Sequence, residues 1–362
     1  MNTEITKQSV ELRRNLFKDT KITSSKELKN LYLKLNHISI QKLRMKYYHV
    51  KENKTVEINK GKFVPDNISK KSYIMTHTTI GLENQKLEVI INIYSNKDIN
   101  KFINILISTI EYICGIAPIS VKKIKLNYYL TENKKEIKSS SIKNKNRSNI
   151  LTKDEINSGF CNNGFFESEI TIYRIEEVIK VTIHELIHAF NYDYRSDSDK
   201  IINHYQQRYN ITSKNINTYE AYTEFWANIL NCYLISQRSK RANYEVFISL
   251  IELERKFAIL QSEKIFHITN LSEDKIDINK NTNVLAYYII RCELYQKLNL
   301  MLKFCNLHNI NYVKMDNIQN WYTFLKENIP KVEKNNRRFN NMNKTKIIYK
   351  TLRMSVNELS IF

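Results

Sequence analysis

Alternating apolar and polar residues predict a small β-sheet in the first half of the chain. The segments "SYIMTHTTI" and "KLEVIINIYS" alternate in this way and flank the turn-like "GLENQ", so they predict a hairpin. The following "DINKFINILISTIEYICGI" has the apolar spacing of a helix, with Asp98 near its cap. Two further segments, "VKKIKLNYYLT" and "ESEITIYR", predict additional strands. We therefore expect an α+β fold with a small mixed sheet and a backing helix.

A second amphipathic helix follows the last of these strands. Apolar residues at helical spacing run from Ile175 to Phe190 and predict a helix that begins near Ile175. Glu176 and Glu177 would then lie in its first turn, where the helix dipole favours carboxylates. From about residue 200 onward the pattern predicts almost only helices.

These patterns divide the chain into three predicted regions. Residues 1–72 show no clear motif and are expected to form an extension packed on the body. Residues 73–195 form the predicted upper subdomain with the sheet, and residues 196–362 form a helical lower subdomain. Within the upper subdomain, the basic and polar stretch at about 131–152 has too little apolar area to order itself. We expect a mobile loop there.

The net charge of +20 arises from 57 basic against 37 acidic residues. Lysine is spread along the whole chain, and the sequence lacks clustered arginines with interleaved aromatic residues. Such a distribution is more typical of a solvated surface in a chain of biased composition than of a nucleic-acid site. A basic, nucleic-acid-associated protein is therefore the alternative and not the first expectation.

Cysteine usage and the apolar segments indicate the compartment. The five cysteines are odd in number and never form a C-x-x-C pair, so neither a disulfide framework nor a thiolate zinc site is predicted. The N-terminus lacks an apolar signal-peptide core, and Asn104, Glu111 and Pro118 interrupt the longest apolar stretch. We expect an intracellular, cytoplasmic protein without a membrane span.

The stretch "VTIHELIHAFNYDY" carries the clearest chemistry in the chain. His184 and His188 lie four residues apart on the predicted helix, which places them about 40° apart around its axis on one face. Two imidazoles on one helix face are half of a zinc site. Glu185 is turned about 100° from His184, a position suited to a general base that holds the reacting water.

A catalytic zinc needs a third protein ligand, and "TYEAYTEFWANILN" offers two acids. Glu220 and Glu224 share one helical face, so one can bind the metal while the other accepts the second N–H of a histidine ligand. The alternative, an ordinary solvated face, is weakened by the strongly apolar residues around the pair. The extended metzincin motif is absent, because Asn191 and Tyr194 stand where its glycine and third histidine would be.

The combination of "HELIHA" and "YEAYTE" resembles the gluzincin class of zinc metallopeptidases, whose thermolysin-like members carry H-E-L-x-H-A and N-E-A-x-S-D. The resemblance implies one Zn²⁺ per chain, bound by His184, His188 and Glu220. It implies that Glu185 is the general base and that Glu224 supports a histidine ligand. The matching motifs cover about an eighth of the chain.

Tyr219 stands where this family has asparagine, which affects a backbone-positioning contact. The resemblance also implies a zincin-like fold, in which a sheet with backing and active-site helices precedes a mainly helical subdomain that supplies the third ligand. The short "EINSGF" segment, with Asn157, Ser158 and Gly159, would be the edge strand that pairs with an extended substrate. The chain is rich in residue types whose codons are rich in A and T. This composition, together with "NSGF" and both motifs, is more loosely similar to metallopeptidases of large cytoplasmic DNA viruses. That similarity would imply a location in the viral factory or the virion.

We therefore predict a metallopeptidase that hydrolyses peptide bonds of a peptide or protein substrate through a zinc-activated water, with Glu185 as the base. A donor that stabilises the developing oxyanion is expected, and Tyr287, Tyr288 and His204 are the candidates. A catalytically inactive zincin scaffold used for binding is a further alternative. The cleavage specificity and the oligomeric state cannot be read from the sequence.

Overall fold

The computed structural model describes residues 5–16, 24–58, 63–137, 151–239, 243–271, 275–334 and 347–362. Its main feature is a six-stranded mixed sheet in the order β1-β2-β3-β4-β6-β5. The strands are β1 (Arg44–Glu57), β2 (Ser72–Glu83), β3 (Glu88–Ser95), β4 (Lys123–Tyr129), β5 (Gly159–Asn163) and β6 (Glu167–Ile172). Two short strands, β7 (Asn309–Ile310) and β8 (Lys314–Met315), form a separate hairpin.

The predicted hairpin is confirmed as β2 and β3, and the two later strand predictions are confirmed as β4 and β6. β3, β4 and β6 run parallel to one another, whereas β5 is antiparallel to β6 and lies at the edge of the sheet. Side chains alternate across the strands, so that one face carries a row of fully buried aliphatic residues. These residues are Ile80, Ile91, Leu126 and Ile170. Their face packs against helices, and each such side chain stabilises the fold by about 1.5–3 kcal/mol.

Helices cover the sheet and form most of the second half of the described chain. They are α1 (Lys7–Leu16), α2 (Lys26–Asn36), α3 (Asp66–Ser69), α4 (Asn100–Cys114), α5 (Lys153–Ile156), α6 (Val178–Ala189), α7 (Asp199–Tyr209), α8 (Thr218–Gln237), α9 (Tyr244–Thr269), α10 (Arg291–Gln296), α11 (Leu298–His308), α12 (Ile318–Asn328) and α13 (Ile347–Lys350). A π-helix, Leu285–Ile290, leads directly into α10. The described helices include none that is long and apolar enough to cross a membrane.

The N-terminal region contributes more than a packed extension. β1 pairs along most of its length with β2, and its bulges explain why its alternating pattern is hard to read. In α2, Leu28, Leu31 and Leu35 are buried in the main core. The α+β class with a mixed sheet is confirmed, and its first strand comes from residues expected outside the sheet.

The predicted mobile loop at about 131–152 is wrong at both of its ends, and residues 138–150 lie outside the described part of the chain. The Lys135 side chain is buried, Glu136 forms a β-bridge with Thr351, and the Ile137 amide donates to the Lys350 carbonyl. After the gap, Leu151 is also buried. Lys135, Glu136 and Ile137 are held in place by the distant C-terminal segment, a tertiary effect that local composition does not report.

The predicted start of the α6 helix near Ile175 is also wrong, because the helix begins at Val178. Glu177 has a left-handed backbone conformation with φ of 60°, and therefore it interrupts the helix. Its carboxylate accepts hydrogen bonds from the amides of Met354 and Ser355 and pairs with Lys135 at 2.9 Å. Glu177 thus anchors the C-terminal segment instead of stabilising the first helical turn.

Candidate metal centre

The H-E-x-x-H motif, formed by His184, Glu185 and His188, lies on α6. This helix is buried along its whole length. This helix packs against α4, β5, β6 and α8, and these contacts on several sides fix its position relative to the sheet. Thr182 lies one helical turn into α6 and hydrogen-bonds the Tyr128 hydroxyl of β4. His184, Glu185 and His188 are 4–6% exposed, which places the motif at the base of a cleft and not on a solvated helix face.

The third ligand candidate enters from α8. Asp197 caps the start of this helix by accepting hydrogen bonds from the Thr218 amide and hydroxyl. Glu220 follows in the first turn and points toward the two histidines. The cap therefore sets the position of Glu220, because the helix begins only two residues before it.

Three ligand atoms meet at one point in this centre. The Nε2 atoms of His184 and His188 are 3.1 Å apart, and Glu220 Oε2 lies 3.2 Å and 3.3 Å from them, respectively. Zinc ligands at about 2.0–2.2 Å from a tetrahedral ion lie about 3.3–3.6 Å from one another. The donor set and its spacing therefore fit zinc. Within the described ranges, these residues are the one group of three or more metal-ligand side chains this close together.

The shared oxygen is the unusual feature of the centre. Glu220 Oε2 faces both imidazoles and also accepts a hydrogen bond from the Tyr287 hydroxyl at 3.2 Å. Burial raises the pKa of Glu220, but His188 and His184 lower it more strongly, so the net pKa lies well below its ordinary value. Burial lowers the pKa of His188, yet Asp193 and Glu220 raise it to about 10. A cation at this point, whether a proton or a metal ion, stabilises the cluster.

Each imidazole is oriented from behind by a second carboxylate. Glu224 Oε2 lies 2.9 Å from His184 Nδ1, and Asp193 Oδ2 lies 2.8 Å from His188 Nδ1. Such partners fix the tautomer of a histidine ligand and leave its Nε2 free for the metal. On this geometry Glu220 faces the ligand point and Glu224 lies behind it.

Asp193 is the residue of this candidate site that the sequence pattern did not predict. The motif helix ends at Ala189, and Asn191 reverses the chain with φ of 54°, which brings Asp193 back to His188. The one available signal was an acidic residue shortly after the motif. The reversal itself cannot be recognised from spacing.

Behind His184 lies a second buried group of charges, which we call the anchor cluster: Lys135, Glu177, Lys180, Glu224 and Arg291. Lys180 Nζ donates to Glu224 Oε1 at 2.8 Å, and Arg291 contacts the same oxygen at 3.4 Å. Burial raises the pKa of Glu224, but Lys180 and His184 lower it further, so this carboxylate is ionised. The anchor cluster holds Glu224 in place for its contact with His184.

Glu185 differs from the other carboxylates of the centre. Its side chain lines the cleft beside His184, and within the described chain it has no hydrogen-bond donor. Burial raises its pKa against the opposing effect of the two histidines. A carboxylate of this kind is suited to accept a proton from a bound water.

The three candidate oxyanion stabilisers lie in different places. Tyr287 reaches the metal centre, where its hydroxyl bonds Glu220 and its ring lies 6.0 Å from that of His184. Tyr288 is buried, and its hydroxyl donates a hydrogen bond to the Leu352 carbonyl. His204 makes an edge-to-face contact with Tyr205 and does not line the cleft. The Leu285–Ile290 π-helix carries both tyrosines, and such an insertion is common at functional sites.

The predicted substrate edge strand is displaced along the chain. Residues 153–156 form the α5 turn, and β5 begins only at Gly159, so Asn157 and Ser158 precede the strand. Asn157 and Gly159 line the cleft. A Cβ atom at Gly159 would lie 2.9 Å from the Thr171 carbonyl oxygen, and therefore glycine permits the close packing of β5 on its neighbours. At the other end, Asn163 bonds the His188 carbonyl at 2.7 Å.

The centre opens into a cleft of about 490 Å³ between β5 and the loops of the helical half. A cavity of this size lies within the usual range of ligand-binding clefts. Comparison of the chain with protein-family models, with curated proteins and with solved structures gives no match.

Proposed function

We propose that this chain is a zinc-dependent peptide-bond hydrolase of the gluzincin type. The observation that carries the proposal is that the ligand atoms of His184, His188 and Glu220 lie within 3.3 Å of one another. Beside them is the Glu185 carboxylate, which accepts no hydrogen bond from the described residues. Two imidazoles and one carboxylate leave a fourth tetrahedral position open, as a catalytic zinc requires. Zinc bound there would supply a Lewis acid and lower the pKa of water.

Glu185 performs the proton transfers in this proposal. Its carboxylate accepts a proton from the water that attacks the scissile carbonyl carbon, and it later donates that proton to the nitrogen of the leaving amine. The raised pKa of Glu185, caused by burial, makes it a stronger base than an exposed glutamate. The two transfers return the carboxylate to its starting state.

Tyr287 is the proposed donor to the developing oxyanion. Its hydroxyl lies on Glu220 Oε2 at 3.2 Å and is therefore within a short movement of the ligand point. Burial and the nearby carboxylates of Glu220 and Glu185 raise its pKa, so the hydroxyl keeps its proton and remains a donor. Tyr288 and His204 lie away from the cleft and have no part in the proposal.

β5 is the proposed substrate-binding strand. It forms the edge of the sheet beside the motif helix, and one of its sides is not paired with another strand of the described chain. An extended peptide added there would pass through the cleft in front of Glu185. An edge strand, an active-site helix and a helical half with the third ligand together support a zincin-like arrangement.

The proposal is tested by zinc analysis combined with hydrolysis of a mixed peptide pool. Wild-type protein should hold about one zinc per chain and cleave part of the pool. Glu185→Gln should keep the zinc and lose about 10²- to 10⁴-fold in rate, because the amide cannot accept the proton. Glu132→Gln is the matched control, since Glu132 is exposed and pairs only with Lys97 on the surface. Wild-type rates in the Glu185 variant, or a zinc-free wild type, would contradict the proposal.

A further inference from the structure

The wall of the cleft opposite β5 is made almost entirely of polar side chains. It comes from the loop before α8 and from the segment that leads into the π-helix. Five asparagines line it: Asn215, Asn217, Asn279, Asn281 and Asn283. Amide side chains offer both donors and acceptors, so this wall suits a polar ligand.

Apolar selection is weak in the same cleft. Aromatic rings line it, including Phe63 and Phe160 at one end, but in the described part of the chain no aliphatic side chain does so. A deep aliphatic pocket for a large apolar substrate side chain is therefore missing from the described cleft. Away from this aromatic end of the cleft, selectivity must come from polar and charged groups.

The charges of the cleft favour an anion. Its carboxylates are Glu185 and Glu220, which both serve the metal centre, and its cations are Arg195 and Lys280. The two pairs of opposite charges balance, so a bound divalent ion leaves the cleft with a net positive charge. Neither cation takes part in an ion pair within 4.0 Å among the described residues.

Arg195 is the cation closest to the reacting region. It follows Asp193 by two residues, contacts the Cys161 thiol of β5, and lies within electrostatic range of three carboxylates, of which Asp193 acts on it most strongly and Glu220 and Glu185 less so. Its side chain is exposed to the cleft. A guanidinium in this position presents a planar set of donors that matches a carboxylate.

We propose that the cleft selects substrates with a carboxylate near the scissile bond and that Arg195 binds this group. The inference rests on the proposed function for its substrate, and it names the chemical class that the site selects. The carboxylate can belong to an Asp or Glu side chain or to the C-terminus of the peptide. Lys280 adds to the positive potential from the outer rim, and the asparagine wall binds the polar remainder of the ligand.

The test measures binding apart from hydrolysis. Zinc-loaded Glu185→Gln protein is titrated with fluorescent peptide pools that differ only in Glu against Gln at one position, each with a free or an amidated C-terminus. We expect the acidic pools to bind about tenfold tighter or more, as a hydrogen bond to a charged group provides. Adding Arg195→Gln should abolish this preference while the zinc content stays the same. Arg14→Gln, an exposed arginine outside the cleft, is the matched control.

The peptide arms separate the two sources of the carboxylate. A preference for Glu that persists with an amidated C-terminus assigns the site to an acidic side chain, whereas dependence on the free C-terminus assigns it to a terminal carboxylate. Equal binding of all four pools, with Glu or Gln and with a free or an amidated C-terminus, or a preference that survives Arg195→Gln and is lost in Lys280→Gln, overturns the role of Arg195.

The same data distinguish this inference from the proposed function. Acid-selective binding that depends on Arg195, without hydrolysis by the wild type, would leave a carboxylate-binding site and remove the peptidase. Hydrolysis by the wild type without any preference for acidic peptides would leave the peptidase and remove this inference.

Discussion

The metal centre and the anchor cluster lie on opposite sides of the His184 ring, and both bury several charges, yet they satisfy them differently. In the anchor cluster the cations face defined carboxylate partners, as in Lys180 with Glu224 and Lys135 with Glu177. Glu177 also accepts hydrogen bonds from two backbone amides of the C-terminal segment. In the metal centre, by contrast, two imidazoles and one hydroxyl converge on a single oxygen of Glu220.

This difference separates a structural role from a binding role. A buried ion pair whose partners hydrogen-bond each other, as Lys180 and Glu224 do, holds its neighbours in one arrangement, and the loss of one partner leaves an uncompensated charge. A convergent set of ligand atoms gains its full stabilisation only when a cation is bound between them. On the proposed function, the rigid anchor cluster therefore keeps His184 in position for an exchangeable ion.

The largest effect is expected from the ligands themselves. His188→Ala and Glu220→Ala should each remove most or all zinc, because each takes away one of only three protein ligands. His204→Ala is the control, since this histidine lies outside the cleft. Metal analysis of the purified variants measures the result. Full zinc occupancy in both ligand variants would place the metal elsewhere.

Breaking the anchor cluster should lower stability more than any surface substitution. Lys135→Met leaves the buried Glu177 without the partner of its ion pair, and the free energy of unfolding of the metal-free protein should fall by about 3–5 kcal/mol. Lys97→Met removes a surface pair with Glu132 and should cost about 1 kcal/mol or less. Urea denaturation compares the two. Equal small effects would show that the cluster has no anchoring role.

A smaller effect is expected from Asp193, whose hydrogen-bond partner among the described residues is the outer nitrogen of His188. Asp193→Asn keeps the size of the side chain but weakens the hold on the imidazole, so zinc affinity should fall by about 10- to 100-fold. Competition with a chromophoric chelator measures the affinity, and Asp199→Asn at the exposed start of α7 is the control. Unchanged affinity would remove Asp193 from the metal centre.

The smallest structural change is expected on mild acidification, which should affect the metal centre first and the anchor cluster only at lower pH. Protons compete with zinc for the imidazoles, so lowering the pH from 7 to about 5 should release metal. Burial raises the pKa of Glu177, but Lys135, Lys180 and Arg353 lower it to about 2 from an ordinary value of 4.5. Its contribution to stability is complete above pH 4.5 and is lost as the pH falls toward 2. Near-UV circular dichroism should therefore persist after zinc release, and simultaneous loss of both signals would contradict the separation.

Much of the fold and the motif could be predicted from local pattern. The β2–β3 hairpin, β4, β6 and the motif helix follow from spacing, because alternation and helical periodicity reflect which side chains face the core. The faces shared by His184 and His188, and by Glu220 and Glu224, follow from the same geometry. The sequence by itself therefore determined which histidine and glutamate side chains share a helix face. It also determined that their pattern resembles that of a zinc site.

Tertiary structure alone decided how these parts meet. The turn at Asn191 returns Asp193 to His188, the C-terminal segment draws Glu177 out of the helix, and the π-helix points Tyr287 toward the centre and Tyr288 away from it. Each outcome depends on partners far apart in sequence or on a backbone conformation with no local signature. Periodicity reports the face that a residue occupies, whereas the contacts that complete a buried charged site are settled only when distant segments pack together.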